Sequence, residues 1–95
     1  MDYRLLGTWK SGFNDDEQLG WFRLHFFESG DLTCTICVVN QPDKVISLTY
    51  SADGDTITTQ QASPPREDQI KYEIERDVRL TLRDGWIVCP YRRVS

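Results

Sequence analysis

The sequence has little of what most enzymes and membrane proteins need. It contains one histidine and three cysteines among 95 residues. It has no run of about eighteen apolar residues and no basic start followed by an apolar stretch, so we expect neither a membrane span nor a signal peptide. Positive charge is not in excess either, since 15 acidic residues oppose 11 basic ones for a net charge of -4. We therefore expect no nucleic-acid partner and no membrane partner.

The odd number of cysteines does not suit a disulfide framework and favours a reducing, cytoplasmic location. Cys34 and Cys37 have the spacing of a zinc or redox pair, but they lie in a Thr- and Ile-rich segment that predicts a strand. Residues three apart on a strand point to opposite faces, so the two sulfurs do not converge. We predict structural thiols with no metal and no cofactor, and a zinc or thioredoxin-like site is the alternative.

No window of the sequence keeps a helical period, whereas period-two alternation recurs throughout, which predicts an all-β protein. The alternation and turn signals give eight short strands at 5–11, 19–27, 31–39, 44–51, 56–62, 69–75, 78–83 and 86–93. Because every connection is short, the strands are expected to follow one another as an antiparallel up-and-down meander. Closure into a small barrel removes both sheet edges, so we predict a single barrel domain over 1–95.

Turn residues set the expected register, because a hairpin fixes which side chains share a face. Asp84-Gly85 as a two-residue turn pairs Leu82 with Ile87, and Asp53-Gly54 pairs Tyr50 with Ile57. Glu28-Ser29-Gly30 as a three-residue loop with Gly30 left-handed places Phe26 opposite Leu32. The predicted inward residues are Phe22, Leu24, Phe26, Leu32, Cys34, Ile36, Val38, Ile46, Leu48, Tyr50, Ile57, Thr59, Gln61, Ile70, Tyr72, Ile74, Val78, Leu80, Leu82, Ile87, Cys89 and Tyr91.

The N-terminal Leu5-Leu6-Gly7-Thr8-Trp9-Lys10, the central Tyr50-Ser51-Ala52-Asp53-Gly54 hairpin and the closing Tyr91-Arg92-Arg93 together resemble a very small lipocalin-like (calycin) β-barrel. The resemblance implies that Trp9 plugs one end of the barrel, with Gly7 beside it and Arg93 packed across the indole ring. A guanidinium on an indole face contributes on the order of 0.5 to 2 kcal/mol. The chain is shorter than ordinary lipocalins, so any ligand site is expected near a barrel mouth.

A non-enzymatic barrel of this kind would bind a small apolar or aromatic ligand at one mouth. The aromatic and polar inward residues that could hold it are Phe22, Phe26, Tyr50, Thr59, Gln61, Tyr72 and Tyr91. Thr59 or Gln61 would be the polar anchor.

The alternative function is a protein-interaction or self-association module, because several large apolar residues are predicted to face outward. The expected surface consists of Trp21, Phe27, Trp86 and Val88, with Cys37 and Val39 beside it. Its partner would be another protein or a second copy of the chain.

Enzymatic activity is not expected. His25 is predicted to point outward beside Arg23, with no activated nucleophile at hand. Asp15, Asp16 and Glu17 lack the alternate spacing of a calcium loop and predict a solvated turn. The basic residues Lys71, Arg76, Arg79 and Arg83 alternate with acidic ones and predict salt-bridged ladder pairs.

Overall fold

The computed structural model describes residues 2–13, 16–62, 65–85 and 87–95. A short 3-10 helix, Tyr3–Leu5, precedes eight strands. The strands are β1 (Gly7–Phe13), β2 (Asp16–Phe26), β3 (Asp31–Val38), β4 (Lys44–Asp53), β5 (Thr56–Ala62), β6 (Pro65–Glu75), β7 (Arg79–Asp84) and β8 (Ile87–Arg93). Each pairs antiparallel with the next, and β8 pairs with β1 to close the barrel. The predicted all-β meander closing into a small barrel is confirmed. None of the described helical segments is long and apolar enough to cross a membrane.

Most strand boundaries differ from the sequence prediction by one to four residues, and two of these differences have a local cause. The first strand was expected from Leu5, but Tyr3–Leu5 forms a 3-10 turn because the Asp2 carboxylate caps it, accepting the backbone N–H of Arg4 at 3.1 Å. The sixth strand was expected from 69, but β6 begins at Pro65. Proline is tolerated as the first residue of a strand, where its missing N–H interrupts little.

The predicted β2–β3 hairpin is confirmed, with Phe26 opposite Leu32 and Gly30 at φ +93°. The other two hairpin registers are wrong by two residues, since Tyr50 pairs with Thr59 and Leu82 pairs with Cys89. In the structure, Gly54 and Gly85 each occupy the first of the two loop positions, with φ of +63° and +62°. Both favoured two-residue hairpin turns require a positive φ at that position. Because a shift of two residues preserves the face, the predicted inward sets survive the error.

The core lies at one end of the barrel. Its buried members are Leu5, Trp9, Leu24, Phe26, Leu32, Tyr50, Ile57, Tyr72 and Leu80. Val78 and Ile87, both predicted to face inward, are exposed instead. Val78 lies in the turn before β7, and Ile87 is the first residue of β8 at a hairpin end, so neither reaches the packed interior.

The barrel has two unlike ends. The plugged end carries the 3-10 turn and the connections β2–β3, β4–β5 and β6–β7. The distal end is the opposite one, where β1 meets β2, β3 meets β4, β5 meets β6 and β7 meets β8.

Two seams of the barrel are hydrogen-bonded mainly near the plugged end. Within the described residues, β1 and β8 pair at Trp9 with Arg93 and at Lys10 with Arg92. The β4–β5 ladder runs from the Asp53 hairpin up to Thr49, and β4 beyond that point pairs with β3 alone among the described residues. Pro90, which has no N–H to donate to a neighbouring strand, lies two residues beyond the last β1–β8 pair at Arg92. The barrel is one closed sheet whose two seams, in the described residues, are hydrogen-bonded mainly near the plugged end.

Candidate ligand site at the distal end

The plug implied by the family resemblance is present in the structure. Trp9 is fully buried, and its indole Nε1 donates to the Leu5 carbonyl at 2.9 Å. The guanidinium carbon of Arg93 lies 4.2 Å from the centroid of the Trp9 ring. The same guanidinium donates to the backbone carbonyls of Leu6 at 2.8 Å, of Arg4 and of Asp77. Arg93 thus fastens the 3-10 turn, the last strand and the β6–β7 turn around one ring.

Gly7 is required by the space beside this plug. Its φ is +113°, and a Cβ built on it would come 2.3 Å from the backbone oxygen of Ser95. A larger residue therefore meets both backbone strain and a backbone atom that has little freedom to move.

Three of the seven residues predicted to hold a ligand belong to the packed core of the plugged end. Phe26 meets Tyr50 edge to face with ring centroids 5.0 Å apart, and the Tyr50 hydroxyl donates to the Phe27 carbonyl at 2.9 Å. The Tyr72 hydroxyl donates to the Asp2 carboxylate at 2.8 Å. These three side chains are fully used in packing and in tying elements together, so the structure gives them a place in the core instead of a mouth.

The Asp2 contact also changes the acid–base behaviour of its partners. Hydrogen bonds from the Arg4 side chain hold the pKa of Asp2 down to about 2. Burial and the hydrogen bond to Asp2 raise the pKa of Tyr72 to about 12. At neutral pH Asp2 is therefore ionised and Tyr72 protonated, so the Tyr72 hydroxyl donates to the Asp2 carboxylate and links the N-terminal turn to β6.

The remaining predicted residues line the interior nearer the distal end. Phe22, Gln61 and Tyr91 are half-buried, and Thr59 is buried between them and the core. Burial raises the pKa of Tyr91, with smaller contributions from the nearby thiols of Cys34 and Cys89. The Tyr91 ring packs against the core cluster and so forms its border toward the distal half of the barrel.

Two charged residues that the sequence analysis missed also face this interior. Arg66 is opposite Gln61 and Asp68 is opposite Thr59, which places both on the inward side of β6. They form an ion pair of 2.9 Å, and their side chains are 69% and 43% exposed. Because these two inward-facing side chains are exposed, solvent reaches the interior of the barrel at this point. The signal is the period-two continuation of Ile70 back to Asp68 and Arg66, which the predicted strand start at 69 left out.

An open cleft of about 620 Å³ lies where β4 and β5 separate. Leu48 and Gln61 reach it from the inner face, and Arg66 closes its far side. On the outer side the Gln60 amide donates to Glu67 at 2.9 Å. The volume is in the range of small-molecule sites, and the lining combines apolar groups with the amides of Gln60 and Gln61, the guanidinium of Arg66 and the carboxylates of Asp31 and Glu67.

The expected apolar interaction surface is divided. Trp21 lies between two cations, with Lys10 Nζ and Arg23 Cζ each 4.6 Å from its ring centroid. Phe27 is exposed at the plugged end, about 20 Å along β2 from Trp21.

The other members of that surface lie elsewhere. Val88 is exposed near the distal end, and Val39 is exposed just beyond β3. Cys37 is on the outer face opposite Trp21 but is buried, and Trp86 lies outside the described residues. The interaction-module alternative stays a prediction.

The other candidate groups have structural partners. His25 lies on the outer face, where its Nδ1 and the Thr8 hydroxyl are 2.7 Å apart. Cys34 packs against the core while Cys37 lies on the outer face, which agrees with their predicted divergence. Arg83 and Glu73 are diagonal neighbours on β7 and β6 and approach to 3.6 Å, whereas the residue directly opposite Arg83 is Lys71.

In residues 2–13, 16–62, 65–85 and 87–95, no three His, Cys, Asp or Glu side chains are grouped to hold an ion. Of the predicted turn residues, Asp15 lies outside the described residues, and the turn prediction is wrong for Asp16 and Glu17, which are the first two residues of β2.

Comparisons with known proteins add no relative to this picture: no family model, no curated protein and no solved structure matches the chain.

Proposed function

We propose that the chain is a non-enzymatic, lipocalin-like barrel that binds a small molecule at its distal end, opposite the Trp9 plug. The observation that carries this proposal is the contrast within one interior. The inward side chains are fully packed at the plugged end, whereas Arg66 and Asp68, also inward, reach solvent.

The lining of the distal half indicates the kind of ligand. Leu48 and the ring of Phe22 supply apolar surface, and Gln61 supplies an amide. Arg66 supplies a guanidinium that is paired with Asp68, and Asp31 and Glu67 add carboxylates to the cleft. A ligand with an apolar or aromatic body and one polar end matches this lining, because the body replaces water in the cleft and the polar end meets the Gln61 amide and the Arg66 guanidinium.

The test uses 1-anilinonaphthalene-8-sulfonate, which has an aromatic body and one sulfonate, and follows its fluorescence. Leu48→Trp fills the cleft from the inside and should weaken binding about tenfold or more. Val45→Trp, on the outer face of the same strand, is the matched control and should leave binding unchanged.

A second pair of variants separates loss of binding from loss of folding. Arg66→Gln removes an exposed charge at the cleft and should weaken binding several-fold without changing the thermal unfolding midpoint. Arg83→Gln removes an exposed, ion-paired arginine on the outer face and should do neither. Probe binding that is the same in Leu48→Trp, in Arg66→Gln and in both controls would overturn the proposal.

A further inference from the structure

The outer face of the barrel carries an unexpected row of cations across neighbouring strands. Lys10 lies directly opposite Arg23 on β2 and Arg92 on β8. Arg92 in turn lies opposite Arg79 on β7, whose other neighbour, on β6, is Glu75. Like charges directly opposite in a sheet are destabilising, and this chain has a net charge of -4. The sequence alone did not show the row, because its members come from four strands.

Below this row, toward the plugged end, lies a groove of about 420 Å³ on the outside of β1, β2 and β3. Lys10 and Arg23 form its upper rim, and His25 lies at its centre. Thr8 and Thr33 are the ladder neighbours of His25 on either side, and both line the groove.

The lining of this groove is rich in hydrogen-bond donors and contains no acidic side chain among the described residues. It offers two cations, an imidazole and the hydroxyls of Thr8, Thr33 and Thr35. The Thr8 hydroxyl and Nδ1 of His25 are 2.7 Å apart, so Nε2 is the ring nitrogen for which the described residues show no hydrogen bond. Phe27, whose ring centroid is 4.1 Å from that of His25, adds an apolar wall.

The ring of Trp21 accounts for how the two rim cations are held. Both approach the same ring at 4.6 Å, and in the described residues neither forms an ion pair with a carboxylate. A cation–π contact positions a charge without neutralising it. Lys10 and Arg23 therefore stay charged, with their charged groups beside Trp21 at the edge of the groove.

We propose that this outer groove is an anion site that binds a small phosphorylated molecule, separate from the ligand site at the distal end. Phosphate oxygens would accept from Lys10, Arg23 and the flanking hydroxyls, which is the donor set that charge-assisted hydrogen bonds need. The groove is of small-molecule size. A long polyanion would extend well beyond the groove and would be repelled by the net negative charge of the rest of the chain.

The experiment is a titration with pyrophosphate at constant ionic strength, followed by amide chemical shifts in nitrogen-15 NMR spectra. Saturable shifts are expected at Thr8, His25, Thr33 and Thr35. Lys10→Gln and Arg23→Gln should each weaken binding about tenfold, whereas Lys10→Arg should retain it. Lys71→Gln, at an exposed lysine held 3.3 Å from Asp55 on another part of the surface, is the matched control and should bind as the parent does.

The outcomes that overturn the proposal are distinct. Equal affinity in Arg23→Gln and in Lys71→Gln would show that only the general field of the protein attracts the anion. Binding of phosphatidylserine vesicles or of oligothymidylate without saturable binding of pyrophosphate would assign the groove to a lipid surface or to a nucleic acid. Unfolding curves for Lys10→Gln and Arg23→Gln that match the parent make a loss of binding interpretable. Because the distal cleft shares no residue with this groove, its probe binding should not change in these variants.

Discussion

The plugged end and the distal end of this barrel are made from the same eight strands, yet they are held together differently. At the plugged end, Leu5, Trp9 and Leu80 are completely removed from solvent. At the distal end, the inward side of β6 carries a solvent-exposed ion pair. The comparison shows that the barrel is tightly packed at the plugged end and open to solvent at the distal end.

The seams follow the same division. Near the plug, the β1–β8 seam is extended by backbone hydrogen bonds from Val94 to the Thr8 carbonyl at 2.8 Å and from Thr8 to the Ser95 carbonyl at 3.1 Å. Arg93 adds side-chain donors to three further carbonyls. Toward the distal end, β4 separates from β5 and opens the cleft. Because the contacts that hold the barrel together are concentrated at the plugged end, the inward residues of the distal end can contact a ligand instead of packing against one another.

The strongest test of this difference between the two ends is to replace one phenylalanine with alanine at each end. Phe26 at the plugged end is 2% exposed, and Phe22, four residues earlier on the same face of β2, is half-buried. Phe26→Ala should lower the free energy of unfolding by about 4 kcal/mol, because it leaves a cavity in a packed core. Phe22→Ala should cost only about 1 to 2 kcal/mol, since less apolar surface returns to water. Urea denaturation of both variants measures the difference.

If the two phenylalanine variants lose equal stability, the distal interior is as tightly packed as the plugged one, and the division proposed for the barrel fails. The same experiment also checks function, because Phe22→Ala should change probe binding at the cleft while a folded Phe26→Ala should not.

A smaller effect is expected from glycines at the plugged end that differ in their surroundings. Gly7→Ala combines a positive φ with a Cβ placed 2.3 Å from the Ser95 oxygen, and should cost about 2 to 3 kcal/mol. Gly54→Ala, at φ +63° with open space around the new Cβ, should cost about 1 kcal/mol. The measurement is again urea unfolding. Equal losses would mean that backbone conformation alone, and not the close approach to the last residues, makes Gly7 necessary.

Most of the fold could be predicted from the sequence because alternation and turn residues are local signals. Phe26 and Leu32 were paired correctly because the three-residue loop has one position with a positive φ, and Gly30 takes it at φ +93°. The registers near Gly54 and Gly85 were missed because moving a two-residue turn by one position keeps every side chain on its face. The hydrophobic pattern therefore cannot distinguish the two alternatives.

The candidate site was predictable only in part. Gln61 was found because it lies in a clear strand, but Arg66 and Asp68 were missed because Pro65 suggested a turn. The separation of β4 from β5 depends on where two distant ladders end, and the row of cations depends on four strands lying side by side. Single-strand periodicity contains neither kind of information. Tyr50 and Tyr72 were assigned to a mouth because inward parity does not say at which height along the barrel a residue lies.

The smallest effect concerns the carboxylate that ties the N-terminal turn to β6. The ordinary pKa of Asp2 is 3.8, and hydrogen bonds from Arg4 lower it to about 2 in the folded protein. A lowered folded-state pKa contributes stability that is fully present above about pH 4 and is lost as the pH falls toward 2. Asp2→Asn cannot titrate, so the stability difference between parent and variant should shrink through this window, by at most about 1 kcal/mol because the Arg4 partner is exposed to solvent. Asp55→Asn, which removes the partner of the exposed Lys71, should show a weaker trend. Unfolding free energies at a series of pH values measure both, and a parent-to-Asp2→Asn difference that does not vary with pH would mean that the contacts of Asp2 with Arg4 and Tyr72 do not secure the plugged end electrostatically.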